Sequence, residues 1–85
     1  MNLRYKYTVD DAVLEVFSSV KKRHREELLR IFSYLATDPY VRGDWTQKDN
    51  TRRDCQVKRF GRWVVTYWPE HLSNLVHIID VERLP

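Results

Sequence analysis

Apolar positions recur at spacings of three and four from Asp11 to Ala36, at Val13, Phe17, Val20, His24, Leu28, Ile31 and Leu35. That period is the mark of an amphipathic helix, and no glycine or proline interrupts it. Thr8, Asp10 and Asp11 just ahead of it offer cap and first-turn chemistry. The stripe suits one long helix, or two helices folded back with a joint near Ser18 to Arg23. A single helix over residues 11–36 would be about 39 Å long, more than so small a globule covers easily, so we favour two.

Outside this region the pattern changes to alternation. Leu3 to Val9 reads as an edge or second-row strand. Thr37-Asp38-Pro39 ends the helical region, because proline disfavours helix at the residue before it. Tyr40 to Asp54 is polar and turn-rich, a long connection with ragged strand character. Three strands follow at about Arg53 to Phe60, Arg62 to Trp68 and Leu75 to Glu82, with Gly61 turning the first pair and Pro69 to Asn74 connecting the second. The last is apolar on both parities, at Val76, Ile78 and Ile79, and is expected to be central. Helices separated in sequence from a run of strands indicate an α+β domain. The expected order is β-α-α-β-β-β, with two N-terminal helices packed on one face of a small, mainly antiparallel sheet.

Alternation also sorts the faces. We expect Cys55, Val57, Trp63, Val65 and Tyr67 to meet the helices, and Gln56, Lys58, Arg62, Thr66 and Trp68 to form the opposite face. Arg53, Arg59 and Arg83 would lie at its edges. Such a basic, aromatic face could hold phosphate and stack bases. It also fits a solvated antiparallel face whose lysine and arginine protect the edge.

Composition narrows the classes without choosing among them. The chain has 85 residues, room for one domain spanning residues 1–85. It carries a formal net charge of +3, which permits an anionic partner. No apolar run is long enough to span a bilayer, and Met1 to Lys6 lacks the apolar core of a secretory signal, so a cytoplasmic location is expected. Cys55 is the lone cysteine and is expected to be a small buried hydrophobe. Asp44, Asp49, Asp54, His71 and Asp80 show no recognised ligand spacing, so neither a metal nor a cofactor is expected. His71 is a candidate general acid or base. His24 reads as a half-buried packing residue, and Trp45 as an anchor of the long loop against the core. Lys21 to Arg25 is a charge run at the helical joint, of the kind that is ordinarily a solvated face but that could add to an RNA or ribosome footprint.

The chain resembles the RelE/ParE toxin superfamily over nearly its whole length. The resemblance rests on Tyr5-Lys6-Tyr7, the helix end Leu35-Ala36-Thr37-Asp38-Pro39, the Gly43-Asp44 loop, the strand pair Val57 to Tyr67 and the closing Val76-His77-Ile78-Ile79-Asp80-Val81. It implies the toxin half of a toxin–antitoxin pair, with a cognate antitoxin protein as partner. RelE-type members cleave messenger RNA on the ribosome, with basic side chains activating the 2′-hydroxyl and stabilising the phosphate charge. ParE-type members act on DNA gyrase without nuclease chemistry, and that alternative, like a member without toxicity, stays open. By position, the resemblance implies Lys58 as the residue nearest a RelE base, where the best-known members alternate two lysines. Arg62 and Arg53 would hold phosphate and Arg83 would be the last-strand basic residue. His71 is a candidate replacement for a missing catalytic group, while Arg59 and Trp68 would contact RNA.

Overall fold

A computed structural model describes residues 4–85. Its order is β1 (Lys6–Val9), α1 (Asp11–Ser19), α2 (Lys22–Thr37), β2 (Trp45–Lys48), β3 (Asp54–Phe60), β4 (Trp63–Glu70) and β5 (Leu75–Arg83). The five strands form one sheet in the order β1-β5-β4-β3-β2. Only the β1–β5 pair is parallel; the other three are antiparallel. The α+β architecture and the two-helix reading both hold. The expected opening strand is seen from Lys6, and Leu3 lies outside the described residues. Among the described residues, no helix is long and apolar enough to cross a membrane.

The helical joint falls at Val20 and Lys21, both extended. Ser18 Oγ donates to the Leu14 carbonyl at 2.7 Å and Ser19 Oγ to that of Val16 at 2.9 Å. Both hydroxyls bond back to carbonyls of the last turns of α1, a local side-chain alternative that suits serine at a helix end. α2 buries His24, Leu28, Phe32 and Leu35. The expected stripe placed Ile31 where Phe32 stands. Phe32 packs on Tyr7 of β1, with ring centroids 5.5 Å apart, and Ile31 is only partly buried.

Two strands depart from expectation in physically simple ways. The long connection contains β2, an edge strand too short and too exposed to show an alternating signal. Trp45 opens it and is half exposed rather than anchored in the core. β4, not β5, is the middle strand. The double apolar parity of β5 comes from a bulge: Thr66 pairs with Asp80 but Tyr67 pairs with Ile78, leaving Ile79 as the extra residue. The bulge lets Ile78 and Val81, three apart, both enter the helix-facing core.

The face assignment is corrected by the β3–β4 register. Phe60 pairs with Trp63, so the hairpin has a two-residue loop, Gly61-Arg62. Directly opposed residues share a face, so Lys58 stands beside Val65 and Gln56 beside Tyr67. Trp63, Val65 and Tyr67 do lie under the helices, in the same buried cluster as Leu28 and Phe32. Cys55 and Val57 are buried too, but Val57 lies opposite Thr66 on the far face. Lys58 therefore belongs to the helix side. Thr66 keeps the far side but is buried, at 4% exposure.

Residues Val41 to Asp44 bind the connection down across β3. A Cβ on Gly43 would sit 2.5 Å from the Val57 carbonyl oxygen and 2.6 Å from its nitrogen, so only glycine allows this approach. The Gly43 N–H donates to Gln56 Oε1 at 2.7 Å, and the Asp44 N–H to the Val57 carbonyl at 2.7 Å. We expect Gly43→Ala to lift this crossing and cost about 3 kcal/mol, measurable as a lowered denaturation midpoint. Tyr67 gives a second check. Its hydroxyl donates to the Val41 carbonyl at 3.0 Å, and burial is the main cause of its pKa rising from 10.0 to about 12. The folded state favours the neutral phenol, so this contribution is intact below the unfolded value near 10 and is lost as pH rises through about 12. Alkaline denaturation should steepen in that window, and Tyr67→Phe should remove the added slope.

Candidate nucleic-acid interface

A cleft of about 770 Å³ lies between α2 and the β3–β4 turn. Its walls carry Arg23, His24, Glu27 and Arg30 from α2, Phe60 and Trp63 from the hairpin strands, Arg62 from the turn and Arg83 from β5. Four guanidinium groups against one carboxylate make it an anion-binding surface. The two-residue loop creates it. Gly61 takes a φ of 61° at the glycine position of a type II′ hairpin turn, and this tight reversal sets Arg62 at the cleft's rim. The Leu84 N–H donates to the Arg62 carbonyl at 2.7 Å, fastening the turn to the end of β5.

The aromatic walls are packed from both sides. Tyr34 of α2 meets Phe60 edge-on at 5.9 Å between centroids. The Arg83 guanidinium lies 5.9 Å from the Trp63 ring centroid. Its Nη1 approaches His24 Nε2 at 3.1 Å, and the Trp63 Nε1–H donates to Glu27 Oε2 at 3.1 Å. That hydrogen bond, then one from His24, holds the Glu27 carboxyl below its usual range, with desolvation opposing.

Lys58 borders the cleft through Phe60, whose ring centroid is 5.8 Å from its ammonium. It pairs with Asp44 Oδ1 at 3.7 Å, while Asp44 Oδ2 accepts the Arg59 N–H at 2.8 Å. Asp44 thus clamps β3 and holds the lysine at once. Lys58, Arg62 and Arg83 are the expected site residues that the structure brings to one side of the molecule.

The others lie elsewhere. Arg59 is exposed, and its Nε donates to the Gly61 carbonyl at 2.8 Å, bracing the turn. Arg53 stacks on Trp68 at 3.8 Å, and Trp68 on His77 at 4.3 Å. His77 Nε2 lies 3.0 Å from Glu70 Oε1 and its Nδ1 2.9 Å from Thr8 Oγ1. His71 follows β4 at the end away from the turn, about 25 Å along the strand from Trp63. There it shares a 2.6 Å hydrogen bond with Tyr5 and stacks on Tyr40 at 4.6 Å. Arg62 and His71 are therefore not part of one site. Sequence reasoning singled out neither Glu27 nor Arg30, took Arg23 only as part of the Lys21 to Arg25 charge run, and read His24 as packing. The available signal was the spacing of His24, Glu27 and Ile31, which share one stripe of α2.

No family model matches the sequence, and no curated protein matches it. Solved structures do. The RelE of an archaeal RelE–RelB complex from Pyrococcus horikoshii OT3 is similar, with TM-score 0.72 at 18% identity, over 95% of this chain and 96% of that one. A chain of the toxin–antitoxin complex RelBE2 from Mycobacterium tuberculosis gives TM-score 0.77 at 13% identity, over 95% and 99%. A double arginine-to-alanine variant of E. coli toxin RelE in the free state gives 0.70 at 17%, over 95% and 84%. The architecture of this chain, across nearly its whole length, is the RelE fold.

Proposed function

We propose that this chain is the toxin of a toxin–antitoxin pair and that it cleaves messenger RNA on the ribosome, held in check by a cognate antitoxin protein. The observation that carries the reading is the convergence of Arg62 and Arg83 on an aromatic-walled cleft with Lys58 at its border. The named structural neighbours, two of them complexes of toxin with antitoxin, support it.

The chemistry suits RNA in two respects. Guanidinium groups offer paired donors to phosphate oxygens and stabilise charge that develops on phosphorus. Tyr34, exposed, and Phe60, partly buried, offer ring surface for unstacked bases, while the buried Trp63 shapes the floor of the cleft. The site is confined to the helix side of the sheet, so the Arg53–Trp68 stack on the other side is not required for cleavage. Arg59, committed to the turn, acts through the placement of Arg62.

Expression without an antitoxin should arrest growth and translation, with transcripts cut in a codon-biased pattern. Lys58→Ala with Arg62→Ala should relieve the arrest, and Arg83→Ala alone should slow cleavage about 10²-fold or more. Unchanged toxicity in the double variant would remove these residues from the site. Supercoiling defects without transcript cleavage would move the target to gyrase. Binding of a single-stranded RNA oligonucleotide should weaken with salt, and each arginine removed from the cleft should reduce the log–log slope by about 0.7.

A further inference from the structure

α2 places His24 and Glu27 one turn apart on the face toward the cleft. Glu27 Oε2 lies 3.5 Å from His24 Nδ1 and also accepts the Trp63 N–H. A carboxylate can only accept, so the proton between the two residues sits on Nδ1. On the other side of the ring, Arg83 Nη1 stands 3.1 Å from Nε2. A guanidinium can only donate, so Nε2 presents a lone pair. The two neighbours together fix one neutral tautomer.

The ring is held firmly. His24 is 8% exposed, and it meets Trp63 edge-on at 6.3 Å between centroids. A carboxylate on one imidazole nitrogen and a lone pair aimed at an anion-binding cleft on the other is the electronic arrangement of a general base. Arg83 covers that lone pair in the free protein. A phosphate is a stronger acceptor than a neutral imidazole, since charge-assisted hydrogen bonds are roughly twice as strong as neutral ones.

We propose that His24 is the proton acceptor of this cleft, masked by Arg83 until Arg83 turns to a bound phosphodiester, with Glu27 fixing the tautomer. The inference rests on the ribonuclease reading. In the step, the RNA 2′-hydroxyl proton passes to His24 Nε2, and the 2′-oxygen forms a bond to phosphorus. The bond from phosphorus to the 5′-oxygen breaks, and that oxygen takes a proton from water. The products are a 2′,3′-cyclic phosphate and a 5′-hydroxyl, with an imidazolium beside Glu27 that later loses its proton to water. The charged groups in contact with the ring are Glu27 of α2 and Arg83 of β5; Arg23 and Arg30 of α2 and Arg62 of the turn line the same cleft.

The test is the pH profile of messenger RNA cleavage on programmed ribosomes. The unaltered protein should lose rate toward acid, as Nε2 becomes protonated. His24→Gln keeps both a donor and an acceptor but cannot take the proton; its rate should fall about 10²–10⁴-fold and its acid limb should vanish, with the melting temperature unchanged. Glu27→Gln keeps the acceptor for Trp63 and removes the carboxylate, so nitrogen-15 NMR of its His24 ring should no longer show a single fixed tautomer. Nitrogen-15 NMR of the ring should show a lone pair on Nε2 in the free protein and a shifted resonance on adding a 2′-O-methyl RNA oligonucleotide. Full rate and an unchanged profile in His24→Gln, or a proton on Nε2 in the free protein, would overturn the base role while leaving the ribonuclease reading standing. No cleavage by the unaltered protein would overturn both.

Discussion

A loop of two residues, Gly61-Arg62, decides what each side of this protein can do. A sheet has two faces, and a strand's parity says only which residues share one. The turn then couples the parity of one strand to the next. With Phe60 set against Trp63, even positions of β3 line up with odd positions of β4. Lys58 and Phe60 are thereby put on the side of α2, and Cys55 and Val57 on the other. One more residue in the turn would exchange these sets, sending Lys58 away from Arg83.

The crossing at Gly43-Asp44 is the second constraint, and it serves fold and site together. The chain must come within contact of the β3 backbone to run from the end of α2 to β2, and the missing side chain of Gly43 allows this. Asp44 then accepts the Arg59 N–H and pairs with Lys58 through separate oxygens. The position of the lysine is thus tied to the geometry of the connection. Buried polar groups are accounted for throughout: among the described residues, no buried side-chain nitrogen or oxygen lacks a partner.

Most of the fold could be read from the sequence because its signals are local. The three-and-four spacing gave α1 and α2, and Pro39 gave their end. The joint at Val20 and Lys21 needed the argument from length. β2 was legible only as ragged strand character within the long connection, since four exposed residues at an edge carry no alternation. The far-face burial of Cys55 and Val57 could not be told from helix-face burial by hydrophobicity alone; only the register separates them. The same limit applies to the site. Arg62, Arg83 and Lys58 were found by residue type and position, whereas the network of His24 with Glu27, Trp63 and Arg83 joins residues 36 to 59 apart in sequence. No local pattern reports such a meeting.

The parallel pairing of β1 with β5 has a consequence for the order of events in synthesis. β1 lies at an edge of the sheet, and among the described residues β5 is the only strand it pairs with. While the chain grows, its first strand has no neighbour, and the helices that follow have only part of a surface on which to lie. The described sheet is completed by β5, the last of its five strands in sequence, joining residues about 70 positions apart, a non-local closure of the kind that slows folding. The cleft follows the same timetable, because Arg83 is made 59 residues after His24. A nascent chain therefore has no assembled basic cleft until β5 has been made.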